Sequence, residues 1–146
     1  MKDTILLGII ALFAIGIASC SHEKSYTDMS EVPVAVQTTV TDNFQSGVAS
    51  AKVETNAIGV DEYEVYLQDG TKVKFEGEDW EEVKVPAGQS VPDAFVIEPI
   101  RTYVANTQEP GITIVKIEKD KNGYDIELSN GVDIEFDQNG NFVKMD

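Results

Sequence analysis

The chain has 146 residues, and 26 acidic side chains against 11 lysines and arginines leave a formal charge of −15. Such an acidic domain repels nucleic acid and anionic headgroups, so neither is expected as a partner of its surface. One cysteine and one histidine exclude an internal disulfide and supply no His/Cys ligand set for zinc.

Residues 1–19 read as a signal peptide. Lys2 precedes an apolar run from Thr4 to Ile17, short for a membrane span of about 20 residues but suited to the apolar segment of a secretory signal. Ile17-Ala18-Ser19-Cys20 resembles the bacterial lipobox. That resemblance implies diacylglycerol on the Cys20 thiol and cleavage just before it. An ordinary signal peptide or an uncleaved anchor is the alternative, and either leaves the lone thiol without a purpose. Several acyl chains, each burying CH₂ groups at about 0.8 kcal/mol apiece, anchor a protein essentially permanently. Ser21, rather than aspartate, follows the cysteine, so the expected location is the outer membrane, facing the periplasm.

Residues 20–31 are polar and without apolar period, which predicts a lipidated tether. His22 lies in it, with nothing to fix its geometry for catalysis or metal binding.

Beyond the tether the chain repeats itself, residues 32–88 forming one unit and 89–146 the next. Val32-Pro33 opens the first and Val91-Pro92 the second. Tyr63-Glu-Val-Tyr-Leu-Gln-Asp-Gly70 matches Tyr124-Asp-Ile-Glu-Leu-Ser-Asn-Gly131, and Val73-Lys-Phe75 matches Ile134-Glu-Phe136. Each unit reads as one helix followed by four strands. Pro33 suits a first helical turn, and Val36, Val40 and Phe44 recur at helical spacing. The second helix is expected over 92–106, with Phe95, Ile100, Tyr103 and Val104 buried and Pro99 kinking or restarting it.

Asp69-Gly70, Asn122-Gly123, Asn130-Gly131 and Asn139-Gly140 are strong hairpin signals, because tight primed turns need φ > 0. They place strands near 51–56, 62–68, 71–76 and 81–85, then 112–119, 123–129, 132–136 and 142–145. Alternation puts Val53, Tyr63, Val65, Leu67, Val73 and Phe75 under the first helix. Ile117, Tyr124, Ile126, Leu128, Val132, Ile134 and Phe136 go under the second. A unit of about 60 residues is marginal alone, and joining the two sheets would add stability and remove an edge.

The helix opened by Val-Pro, then Lys-Val-Glu, Tyr-x-Val-x-Leu-x-Asp/Asn-Gly, x-x-Phe and a closing Trp80 or Phe142 resembles the PepSY-like, or β-lactamase-inhibitor-protein-like, domain of Bacteroidota envelope proteins. The likeness runs over roughly 30–146. It implies an α+β fold: a tandem helix-plus-four-strand meander joined into one long antiparallel sheet, with helices on one face and the other open. Protein binding, especially inhibition of an envelope enzyme, is implied by the namesake alone.

No enzyme is expected, because no nucleophile–base pair can be assembled from these residues. No cofactor or metal is expected either. Asp137-Gln-Asn-Gly-Asn141 has its glycine at the wrong position for a calcium loop and reads as a hairpin turn. Glu76 to Glu82 reads as a charged turn, with weak calcium binding as its alternative. The open sheet face is the functional lead, with Tyr66, Lys72, Lys74, Trp80, Asp125, Glu127, Asp133 and Glu135 as its candidate binding residues. The expected function is a lipid-anchored binding module that holds an unidentified envelope protein. The alternative is a structural or weakly cation-binding envelope component with no discrete protein partner. Oligomeric state is not legible.

Overall fold

Residues 34–43 form the first helix, α1 (Val34–Asn43), because Pro33 sets its entry and Val36 and Val40 recur on one side, both buried. The computed structural model describes residues 23–26 and 29–146. Phe44 ends α1 by turning extended while its N–H still donates to the Val40 carbonyl. Cys20 and His22 lie outside the described residues.

Four strands follow: β2 (Val48–Thr55), β3 (Asp61–Leu67), β4 (Lys72–Glu76) and β5 (Asp79–Lys84). A short 3-10 turn at Asp93–Phe95 leads into α2 (Glu98–Thr107), and four more strands come after it: β6 (Ile114–Lys119), β7 (Gly123–Leu128), β8 (Asp133–Asp137) and β9 (Phe142–Met145). Pro99 sits in the first turn of α2, so the expected restart occurs there and its missing N–H costs no hydrogen bond.

Before α1, residues 23–26 form β1 (Glu23–Tyr26), paired antiparallel with β2 through Glu23↔Glu54 and Tyr26↔Ala51. This corrects the expected tether. A polar segment needs no apolar stripe to join a sheet edge, since its backbone N–H and C=O groups supply the bonds.

The described strands make one open antiparallel sheet in the order β1 to β9, each strand beside its neighbour in sequence. The halves meet where β5 pairs with β6, through Val83↔Ile117 and Lys84↔Lys116. Tyr63, Val65, Leu67, Val73, Phe75, Ile117, Ile126, Leu128, Ile134 and Phe136 are buried in one cluster with Val36, Val40, Ile100 and Val104 of the helices. Both helices therefore lie on the same face. Val53, Tyr124 and Val132 are only partly buried, at the margins of that cluster. Phe95 ties the halves together, stacked on Phe44 at 5.7 Å between ring centroids and edge-on to Trp80 at 5.3 Å.

The segments that match in sequence occupy matching places. Tyr63↔Phe75 across β3–β4 has its counterpart in Tyr124↔Phe136 across β7–β8. Each half also carries two register shifts. In the first half they fall between Val48 and Ser50 and opposite Lys74/Phe75; in the second, between Ile114 and Lys116 and opposite Glu135/Phe136. Among the described residues no helix is long and apolar enough to cross a membrane.

Candidate functional site

Alternation leaves a second face, which the helices do not cover, and the register turns it into rows of charge. One row crosses eight strands without a break: Lys52, Glu64, Lys74, Glu82, Glu118, Asp125, Glu135 and Lys144, each directly opposite the next. Its first half alternates in sign, whereas four carboxylates, Glu82, Glu118, Asp125 and Glu135, stand side by side from its middle onward. A parallel row runs Tyr66, Lys72, Lys84, Lys116, Glu127 and Asp133. A zone of mixed sign, with the basic run Lys72, Lys84 and Lys116, thus lies next to an acidic one.

Glu82 organises the centre. It is only 7% exposed although it belongs to the uncovered face. Lys72 and Lys116 close over it, with Nζ atoms 2.5 and 3.6 Å from its two carboxylate oxygens. Burial alone would raise its carboxyl. Hydrogen bonds from Glu118 and Lys72 and the two lysine charges outweigh that and hold it below the ordinary glutamate range. Glu118 answers in the opposite direction, raised first by its hydrogen bond to Glu82 and then by burial. Asp125 is raised by burial and by the charges of Glu135 and Asp120.

On the other half, the Tyr66 hydroxyl donates to Glu64 at 2.5 Å, the main reason the Glu64 carboxyl is lowered, and Lys74 pairs with Glu64 at 3.3 Å. These contacts hold long side chains in fixed positions before any partner arrives. A shallow depression of about 310 Å³ lies over the acidic half, lined by Glu118, Asp125, Glu127, Asp133 and Glu135 among others.

Seven of the eight candidate residues, Tyr66, Lys72, Lys74, Asp125, Glu127, Asp133 and Glu135, share this face. Trp80 does not, which corrects its assignment. It stands opposite Phe75 on the helix face, packed on Phe95, with the Lys119 ammonium 4.3 Å from its ring centroid. The cause is a bulge. Trp80 opposes Phe75 while Glu82 opposes Lys74, so Glu81 is an extra residue and the side chains on either side of it fall on opposite faces. Strict alternation would have put Trp80 beside Glu82.

The same device at Val143 puts Phe142 opposite Phe136 and Lys144 opposite Glu135. Sequence reading passed over Glu82, Lys84 and Lys144 for this reason. Only the doubled acid at Glu81-Glu82 before a valine hinted at a buried charge.

The two carboxylate-rich turns are structural. Asp137 Oδ1 accepts from the backbone amides of Asn139 and Asn141, and Oδ2 from the Asn141 amide, all at 2.9 Å. Glu76 and Asp79 face each other across the β4–β5 turn, where Gly77 has φ +59°. Among the described residues no group of three His, Cys, Asp or Glu side chains is placed to hold a metal ion.

Comparison with curated proteins finds no match. Solved structures do match. A periplasmic protein of unknown function from Bacteroides vulgatus, so described with the qualifier "putative", shares 31% identity over 86% of this chain and 99% of its own, with a TM-score of 0.79. A second from the same organism shares 34% over 85% and 96%, at 0.76. A "putative calcium-regulated periplasmic protein" from Bacteroides thetaiotaomicron shares 33% over 85% and 96%, at 0.77. The family model described as "Putative beta-lactamase-inhibitor-like, PepSY-like" matches residues 61–144. With a family match over more than half of its length and relatives above 30% identity over most of both chains, the chain belongs to the PepSY-like family.

Proposed function

We propose that the chain is a binding module of the cell envelope, held to the outer membrane by lipid on Cys20, and that it grips a protein partner with its open sheet face. The supporting observation is the zoned row of charges through Glu82, whose lysines and carboxylates are already paired and positioned. Rigid, pre-paired side chains lose little freedom on binding, and a mixed-sign zone beside an acidic one sets the orientation of a partner. The two halves are read as duplicates of one unit, which makes the face twice as long as one unit would. The periplasmic description of the Bacteroides relatives supports the location. The family description supports an inhibitor of an envelope enzyme as the more specific form of binding.

One experiment tests both parts. The native protein is extracted in detergent, captured by an affinity tag and examined by mass spectrometry. The expected result is an acylated residue 20 at the N-terminus and a stoichiometric partner. Tyr66→Ala combined with Glu127→Lys should reduce that partner by about tenfold, roughly 1.4 kcal/mol. A bare thiol, or a partner indifferent to both substitutions, sinks the reading.

A second reading, weak calcium binding without a discrete partner, rests on the calcium-regulated description of the Bacteroides thetaiotaomicron relative. Calorimetry with calcium chloride decides: no heat at millimolar calcium removes this reading.

A further inference from the structure

We infer that the outer edge of β9 captures an extended protein segment that alternates apolar and basic residues. Three features of one strand point there. The first is its backbone. Among the described residues β9 pairs with β8 alone. Asp146 and Asp133 exchange both backbone hydrogen bonds, at 2.9 and 3.1 Å. The alternation of an antiparallel ladder then turns the N–H and C=O of Met145 outward, where no described strand meets them. An added strand would satisfy both.

The second is the helix side of the edge. Phe142 and Met145 are 46% and 43% exposed, both opposite core residues of β8. Phe142 stacks on Tyr103 of α2 at 5.2 Å between centroids. Beside that stacked pair and Pro99 opens a groove of about 600 Å³, which meets β9 at Phe142 and runs over α2; Met145 stands further along the strand, outside its lining. Large apolar side chains left at a sheet edge are the feature that stable soluble proteins avoid.

The third is the charge on the other side. Asp133 and Glu135 on β8, with Asp125 and Glu127 behind them on β7, crowd the open face beside the edge. Lysine on an edge strand commonly guards it. Here the Lys144 ammonium is already paired, with Glu135 on the neighbouring β8 at 2.8 Å and with Asp146 at the end of its own strand at 3.2 Å, so its charge is met within the chain.

A strand laid along β9 sends alternate side chains to the apolar side of Phe142 and Met145, with the groove at its Phe142 end, and to the side of the carboxylates. Apolar residues suit the first and lysine or arginine the second. A second copy of the chain fits poorly. Each copy carries −15, and antiparallel pairing of two β9 edges would bring two acidic faces together. The inference rests on the open-face reading for the charge of the partner and on the edge geometry for its conformation.

The probe is a capped heptapeptide of alternating lysine and valine, titrated into the folded protein at low salt and followed by amide NMR. Binding should perturb Val143, Met145 and Tyr103. N-methylation of the lysine nitrogens in one peptide and of the valine nitrogens in a second blocks each strand edge in turn. The blocked edge that faces β9 should weaken affinity about tenfold. Met145→Pro should do the same, since it removes an outward N–H and no β8–β9 bond. If that variant fails to fold, the two methylated peptides decide alone. Equal affinity for both methylated peptides and the parent, or no binding at all, overturns the inference and leaves the open-face reading standing. Equal affinity for a glutamate–valine peptide overturns the open-face charge reading together with the partner assigned here.

Discussion

Replacing Gly123 by alanine should destabilise the protein by about 3 kcal/mol or more, the cost of forcing paired backbones apart. Gly123 begins β7 with φ +154° and pairs with Asp137. A Cβ there would stand 2.0 Å from the Phe136 carbonyl oxygen and 2.7 Å from the Asp137 carbonyl carbon. Neither can yield as a side chain would, so β8 must move away from β7. The turn that leads in is also tied to this residue, since Asp120 Oδ1 accepts from the amides of Asn122 and Gly123 at 2.7 and 3.1 Å. Because β7 and β8 carry Asp125 and Glu135, the acidic half of the open face should loosen with them. Gly59→Ala is the control. It has φ +83° but nothing within 4 Å of an added Cβ, so only local backbone strain of about 1 kcal/mol is expected. Urea unfolding measures both. Indistinguishable midpoints for the two variants would refute the steric argument.

Most of the fold was legible because its elements announce themselves locally. Asp-Gly and Asn-Gly turns fixed the hairpins, and alternating residues such as Val65 and Phe75 named the buried face before any register was known. Pro99 marked the restart of α2 for a reason confined to its own ring. What escaped were the features that depend on two strands at once. A bulge is a property of a pair, so Glu81 and Val143 look like ordinary strand residues until their partners are seen. Trp80 was therefore placed on the wrong face and Glu82 overlooked. The pairing of residues 23–26 with β2 escaped for a similar reason: a polar segment at a sheet edge is held by backbone bonds that leave no pattern in side chains. The same limit applies to Thr71. Sequence places it at the start of a strand without marking it as core, yet it is fully buried, its amide donating to Asp69 and its carbonyl accepting from Leu67, both at 2.9 Å.

Glu82 should be the most sensitive charged position on the open face. Glu82→Lys puts a third ammonium where Lys72 and Lys116 now converge, and removing one partner of a buried ion pair costs about 3 kcal/mol or more. Its side chain is 9% exposed while those of the two lysines are 27% and 26% exposed. The lysines can relax toward water, and the carboxylate holds them in place. Glu82→Gln keeps the shape and removes the charge, so its loss should be smaller and should depend on pH in a specific way. The lowered pKa of Glu82 contributes stability that is present above the ordinary glutamate value and is lost as pH falls through the folded value. The raised pKa of Glu118 works the other way: its contribution is present in acid and is lost as pH rises through its folded value. Between those two values Glu118 has taken a proton while Glu82 is still charged, so the pair hydrogen-bonds without repelling. The advantage of the native protein over Glu82→Gln should therefore peak in that window and shrink on both sides. Urea midpoints measured across the acid range would show it. A flat difference between the two proteins, or a Glu82→Lys variant as stable as the native chain at neutral pH, would mean that this carboxylate is a solvated surface group and not the anchor of the row.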